Sequence, residues 1–238
     1  MTTTTALVTG ANKGLGFETA RQLAAGGWTV FVGARDPERG RTAAAKLAAE
    51  GGDARYVALD VTDDDSVAAA VTEVARQTDR LDVLVNNAGI IGSFTPPLDT
   101  GPTDFLACFG VNLLGPVRVT RAFLPLLRAA EVPRIVMVSS GLGSFAVTGD
   151  PDRLEAGLVS LVYPSSKAAL NMVTTQYAKA LPGWKVNAVD PGYTATDMNG
   201  HSGHKTVADG ARAIVVMARV DAGGPTGGLF DDQGTVPW

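Results

Sequence analysis

The sequence predicts an α/β fold: a doubly wound, mostly parallel sheet of seven strands with helices on both faces. Three observations carry this expectation. Short apolar, β-rich runs alternate with longer stretches of helical period, which is the pattern of crossover units. A glycine-rich run from Gly10 to Gly16 separates the first apolar run from the first helical stretch. Each unusual motif falls just after an apolar run, at the strand ends where ligands of such sheets gather. The 238 residues suit one domain spanning positions 1–238, and no linker, repeat or low-complexity tract divides them.

Strands are expected at Ala6–Val8, Thr29–Gly33, Arg55–Leu59, Val83–Val85, Arg134–Val138, Lys185–Val189 and Gly228–Phe230. Helices are expected from Gly14 to Ala25, Pro37 to Glu50, Asp63 to Gln77, Tyr163 to Leu181 and Thr206 to Arg219, with one long helix from Pro102 to Ala129. A net charge of −4 with 45% hydrophobic residues leaves no Lys/Arg excess for nucleic acid. No apolar run is long enough to span a bilayer, and Met1-Thr2-Thr3-Thr4-Thr5 lacks the basic flank and apolar core of a signal peptide. A cytoplasmic protein without a membrane partner is therefore expected. Cys108 is the only cysteine, so an intrachain disulfide and a thiolate metal cluster are excluded, and a packed core thiol is expected. His201 and His204 form an H-x-x-H spacing without accompanying carboxylates, and no metal site is expected.

In Thr9-Gly10-Ala11-Asn12-Lys13-Gly14-Leu15-Gly16, the glycines let the backbone approach an anion while N–H groups at the helix start point toward it, which makes the run a phosphate cradle. A dinucleotide fold normally places an acidic residue about 20 positions further on to hold the adenosine ribose. This chain has Ala34-Arg35 there instead. Arg35 offers a planar fork for a phosphate dianion and Lys13 a second cation, so the pair favours NADPH over NADH. Asp36 competes as a ribose ligand, but Asp36-Pro37-Glu38 has the form of an N-cap with proline at the first helical position. Asp60 either accepts a hydrogen bond from an adenine amino group or caps the next helix. In Asn86-Asn87-Ala88-Gly89, small residues let the chain pass beneath a flat ligand while the amides pin neighbouring strands.

Tyr163 and Lys167 lie four apart and share one face of the expected helix. A free phenol titrates near 10, and a neighbouring ammonium favours its ionised form, so Lys167 is expected to bring Tyr163 toward acid–base work at neutral pH. Upstream, Ser139 and Ser140 end a strand expected beside the first. Ser140 is the candidate to hydrogen-bond a substrate carbonyl, with Ser139 as the alternative.

In this order, TGANKGLG, NNAG, the serine after VMVS, YPSSK and DPGYTATDM resemble the short-chain dehydrogenase/reductase family over almost the whole chain. The NADPH-dependent carbonyl reductase branch, where a lysine and an arginine recur as Lys13 and Arg35 do, is the nearest flavour. The resemblance implies a Rossmann-type fold, NADPH/NADP as cofactor and reversible reduction of a ketone or aldehyde. It gives Ser140 the carbonyl, Tyr163 the proton, Lys167 the ribose and the tyrosine pKa, and Asn112 a water-mediated proton relay. It assigns Asp60 and Val61 to adenine, and Asn86 and Gly89, with Ala88 between them in the cofactor set, to the adenosine side. Pro191, Gly192, Thr194 and Thr196 go to nicotinamide and diphosphate. Gly10, Asn12, Gly14, Leu15 and Gly16 complete the set with Lys13 and Arg35.

Ser140 precedes Tyr163 by 23 residues, more than the family's common spacing, so a pocket-mouth insertion is expected at about 141–161, with a short helix from Asp150. In the carbonyl reductase branch such an insertion accompanies monomers, so a monomer or small homo-oligomer is expected. Residues 193–205 lack a regular period and read as a lid. Ile90, Phe94, Leu142, Phe145, Tyr193 and Met198 suggest an apolar carbonyl or alcohol substrate. One alternative is a ketoreductase for carrier-bound acyl chains, which requires a basic patch at the mouth, for which Arg153, His201, His204 and Lys205 are candidates. The other is a non-catalytic NADPH sensor, which predicts an eroded catalytic set.

Overall fold

The computed structural model describes residues 3–238. Its sheet contains β1 (Thr5–Thr9), β2 (Thr29–Ala34), β3 (Asp53–Ala58), β4 (Val83–Asn86), β5 (Arg134–Val138), β6 (Lys185–Val189), β7 (Leu229–Phe230) and β8 (Thr235–Val236), in the order β3-β2-β1-β4-β5-β6-β7-β8. The first seven strands are parallel, and β8 returns antiparallel along β7. The strand order reverses between β1 and β4, opening a crevice at their C-terminal ends. Two expectations need correction. An eighth strand closes the sheet edge, and its two residues are too few to show an alternating pattern. β5 lies beside β4, one strand removed from β1.

Both faces of the sheet are covered, which is why the strands read as continuous apolar runs. Ala6 and Val8 of β1 face one side, where Ala20 and Leu23 of α1 (Gly14–Ala25), Ala43 and Leu47 of α2 (Pro37–Ala49) and the distant Ile214 and Met217 join the same core. Leu7 between them faces the other side, where it joins Val67 of α3 (Asp64–Ala75) and Phe123 and Leu170 from later helices.

The long helix expected from Pro102 to Ala129 is interrupted. α4 (Pro102–Phe109) runs into a π-helical turn, Gly110–Leu114, before α5 (Gly115–Arg128) resumes. The reason is Pro116, which has no N–H and stands four residues after Asn112. It removes the donor that the Asn112 carbonyl would meet in a regular helix.

After β5, a 3₁₀ turn (Gly141–Gly143) leads into α6 (Phe145–Gly149), with the Ser144 hydroxyl as its N-cap on the Val147 N–H at 3.0 Å. The helix expected from Asp150 does not form. Asp150 instead accepts the Asp152 N–H in a tight turn at 3.0 Å, and a 3₁₀ turn follows at Leu154–Gly157. The remaining helices, α7 (Val162–Ala180) and α8 (Val207–Ala218), lie within a residue or two of expectation.

Candidate active site

Positive φ angles at Gly10 (63°) and Gly14 (56°) turn the chain from β1 into α1. A β-carbon on Gly16 would lie 2.4 Å from Asn87 Nδ2 and 2.6 Å from the Gly10 carbonyl oxygen, so only glycine fits. The Thr9 hydroxyl accepts the N–H groups of Asn87 and Ala88, each at 2.9 Å, and Asn87 Nδ2 donates to the Thr9 carbonyl at 2.7 Å. These bonds tie the loops after β1 and β4 into one wall. Asn86 does not join that wall, because successive strand side chains point to opposite faces. Its amide is buried and donates to Thr120 Oγ1 at 3.1 Å. Asn87, outside the set that the resemblance assigns to the cofactor, lines the crevice instead.

A cavity of about 490 Å³ occupies the crevice. Gly10, Asn12, Lys13, Gly14, Leu15 and Gly16 line it together with Arg35, Asp60 and Val61 from the ends of β2 and β3. Ala88, Gly89, Tyr163, Lys167, Pro191 and Thr196 complete the expected lining, and Ile90 and Met198 add apolar surface. Leu59, Ile91, Val111, Val138 and Asp197 also reach it, without motif signals that would have marked them. Gly192 and Thr194 shape the base of the lid from behind: Gly192 has φ 70°, and the buried Thr194 hydroxyl turns back to the Pro191 carbonyl at 3.2 Å.

The polar ends of the cavity differ in kind. At one end Asp36 is occupied as the cap of α2, accepting the N–H groups of Glu38 and Arg39 at 3.0 Å each, which leaves Arg35 as the side chain facing the cavity. Asp60 accepts the Thr62 N–H and hydroxyl at 2.9 and 2.7 Å, which holds its carboxyl below the usual range. Asp63, not Asp60, caps α3. Lys13 pairs with Asp197 of the lid at 2.7 Å. The lid is further held by Asn199 Nδ2 on the Thr194 carbonyl at 2.9 Å and by His201 on Asp197 at 3.0 Å. His204 lies 6.0 Å from the Tyr193 ring centre. Among the described residues, no group of three potential metal ligands exists.

At the other end, Tyr163 and Lys167 occupy one face of α7. Ser139 is the serine in the cavity wall, although its buried hydroxyl donates to Asn171 Oδ1 at 2.6 Å; the Ser140 hydroxyl accepts the Leu142 N–H at 3.2 Å and is near enough to the Tyr163 phenol to favour its ionised form. Ser140, the serine expected to meet the substrate carbonyl, is thus not part of the lining, and its link to the site runs through the Tyr163 phenol. Burial pushes the Tyr163 phenol well above its ordinary value, and the Asp190 carboxylate adds to this. That corrects the expectation of a lowered phenol: the Lys167 ammonium sits 5.5 Å from the tyrosine ring centre and does not offset enclosure. Burial also pushes Lys167 down, to about 8. Asn112, buried on the π-turn, clamps Ile90 through both ends of its amide at 2.9 Å and donates to Ser166 Oγ at 3.0 Å. Its side chain thus holds the wall, and it does not line the cavity. Phe94 and Phe145 are 74% and 83% exposed and also stay outside the lining.

The cradle fits a dinucleotide on two further observations. At Gly10, Gly14 and Gly16 the loop presents bare backbone to the cavity. The buried Lys167 ammonium has three donors, and its hydrogen bond to the Val138 carbonyl at 2.8 Å uses one of them.

Comparison with known proteins agrees with this arrangement. The sequence profile described as short chain dehydrogenase matches residues 4–206. (−)-Isopiperitenone reductase from Mentha piperita is 35% identical, with 94% of this chain and 95% of that protein covered. An NADPH-bound carbonyl reductase from chicken fatty liver superposes with TM-score 0.87 at 28% identity, covering 100% of both chains. A short chain dehydrogenase from Shigella flexneri complexed with NADP gives TM-score 0.84 at 27% identity and 97% coverage of each chain. The ordered motifs, the strand reversal and these likenesses together place this chain among the short-chain dehydrogenases, nucleotide-binding oxidoreductases of the Rossmann fold.

Proposed function

We propose that this enzyme reversibly reduces a small apolar ketone or aldehyde to an alcohol with NADPH. The observation that carries the reading is one cavity lined by the cations Arg35 and Lys13 as well as by Tyr163 and Lys167, with Ser140 close to the Tyr163 phenol behind the lining. Arg35, and Lys13 on exchanging its Asp197 partner, would hold the 2′-phosphate, the glycine loop the diphosphate, and the unused Lys167 donors the ribose hydroxyls. The chemistry such a cofactor supplies when bound is hydride donation to the carbonyl carbon.

Ser140 orients the carbonyl oxygen beside the phenol, and Tyr163 gives that oxygen its proton as negative charge develops there. A phenol raised by burial keeps its proton until it is needed, which suits it to the reductive direction. In the reverse direction Tyr163 must first lose that proton and then accept one from the alcohol. Asn112 maintains the wall that positions Ile90 against the cavity. The likeness to a protein named as a reductase and to NADPH- and NADP-bound structures supports the reading.

A docking surface for carrier-bound acyl chains finds little support. Three of the four basic candidates face acids: Arg153 with Glu155 at 3.6 Å, His201 with Asp197 at 3.0 Å and Lys205 with Asp232 at 2.9 Å. The test is a carbonyl panel assayed by the loss of NADPH absorbance, with NADH in parallel. Turnover of free ketones or aldehydes with NADPH preferred is expected. Activity confined to acyl-carrier substrates, or absent while NADPH binds, would overturn the reading.

A further inference from the structure

Asp197 of the lid stands in the cavity wall, and each of its carboxylate oxygens has a nitrogen partner. Oδ2 pairs with Lys13 Nζ at 2.7 Å, and Oδ1 meets His201 Nε2 at 3.0 Å. Lys13 belongs to the glycine loop, so this pair joins the lid to the phosphate cradle. The two segments also touch at the next residues along: a β-carbon on Gly14 would lie 3.9 Å from Thr196 Cγ2. The lid does not depend on Lys13 for its shape. Its base is held by the Ala195 N–H on the Lys205 carbonyl at 2.9 Å and by Lys205 on Asp232 at 2.9 Å. Its tip is held by the Thr196 N–H on Asn199 Oδ1 at 3.1 Å and by the His201 N–H on the Thr196 carbonyl at 2.9 Å. Lys13 is therefore free to change partner while Asp197 keeps His201 and the lid keeps its turn.

We propose that Asp197 is a specificity-determining residue: it holds Lys13 in place of the cofactor's 2′-phosphate, and only a dinucleotide carrying that phosphate displaces it. The inference rests on the reading of Lys13 and Arg35 as the 2′-phosphate site. An exposed aspartate is an anion at neutral pH, and it competes for the ammonium with a single charge. A phosphate monoester brings about −1.5 to −2 charges, and it engages Arg35 of the same cavity at the same time. The phosphate wins the exchange, but its affinity is reduced by the pair it must break and by the carboxylate it then faces. NADH has no group to offer Lys13 and leaves the pair intact. Asp197 thus acts on NADPH and spares NADH. Exposure bounds the size of the effect: with side chains 59% and 55% exposed, the pair is worth little in water, and the change in affinity is a few-fold.

The test is Asp197→Asn, which keeps the shape and removes the charge at an exposed position. NADPH should bind about two- to fivefold more tightly, while NADH affinity stays at the wild-type value. The adenosine halves make the same comparison without the nicotinamide. Adenosine 2′,5′-bisphosphate should tighten by the same factor, and adenosine 5′-monophosphate should not change. A purely structural role for Asp197 would shift NADPH and NADH together or leave both unmoved, and either result overturns the proposal. In a Lys13→Met background the gain from Asp197→Asn should be largely lost, because no ammonium is left to exchange. A gain that survives in full shows Asp197 acting without Lys13 and also overturns the proposal. The reading beneath it is judged on the wild type. A wild-type enzyme that binds NADPH and NADH equally contradicts the 2′-phosphate site itself, whereas an NADPH preference unchanged by Asp197→Asn contradicts only the role of Asp197.

Discussion

The Lys167 ammonium lies 5.5 Å from the centre of the Tyr163 ring and donates to the Val138 carbonyl at 2.8 Å, so one buried cation is tied to the sheet while it faces the tyrosine ring. Enclosure brings its pKa down to about 8. The sign of the consequence follows: below that value the ammonium offers its full set of donors, and above it a charge and a donor are lost. NADPH affinity should therefore weaken as pH rises through about 8, by up to roughly tenfold per unit. Fluorescence titrations of NADPH across this range check it, and Lys167→Met should bind more weakly and show a flatter profile. A wild-type affinity that does not change through this window would contradict the role given to Lys167.

Arg35 faces the cavity at the end of β2 while its neighbour Asp36 is committed to capping α2. Arg35→Glu should therefore weaken NADPH far more than NADH, because the 2′-phosphate then meets a like charge. Michaelis constants for both cofactors measure it. Equal losses for the two would make Arg35 a structural residue.

Gly16→Ala places a methyl group where Asn87 Nδ2 and the Gly10 carbonyl already stand. Overpacking of this kind costs about 1–3 kcal/mol. Since the displaced groups form the wall between the loops after β1 and β4, the melting temperature and NADPH affinity should fall together. Wild-type values of both would show that the loop relaxes without touching the cradle.

Much of this arrangement was legible because strand ends and glycine spacing obey local rules. Gly10, Gly14 and Gly16 announce a cradle, and Tyr163 and Lys167 share a helical face whatever the rest of the fold does. Reading failed where the outcome depends on partners far along the chain. Asn86 and Asn87 are adjacent and chemically identical, and only the pleat of β4 decides which one reaches the cavity. Nothing in DPGYTATDM shows that the buried Asp190 converges with Glu155 on Gly141, because Glu155 is brought in by the insertion. The interruption at Gly110–Leu114 had a local sign in Pro116, four residues after Asn112, that the strong helical period on both sides masked. The insertion shows a limit of cap logic: Asp150 does bond a nearby N–H, but of a turn, and the helix forms before it, behind Ser144.

The central claim is that Tyr163 supplies the proton, and the most direct measurement is the turnover of Tyr163→Phe alongside its NADPH affinity. The substitution removes one hydroxyl from an enclosed ring, so fold and cofactor binding should persist while kcat falls by about 10²–10⁴-fold or more. A Tyr163→Phe enzyme that binds NADPH and turns over at near-normal rates would contradict the account.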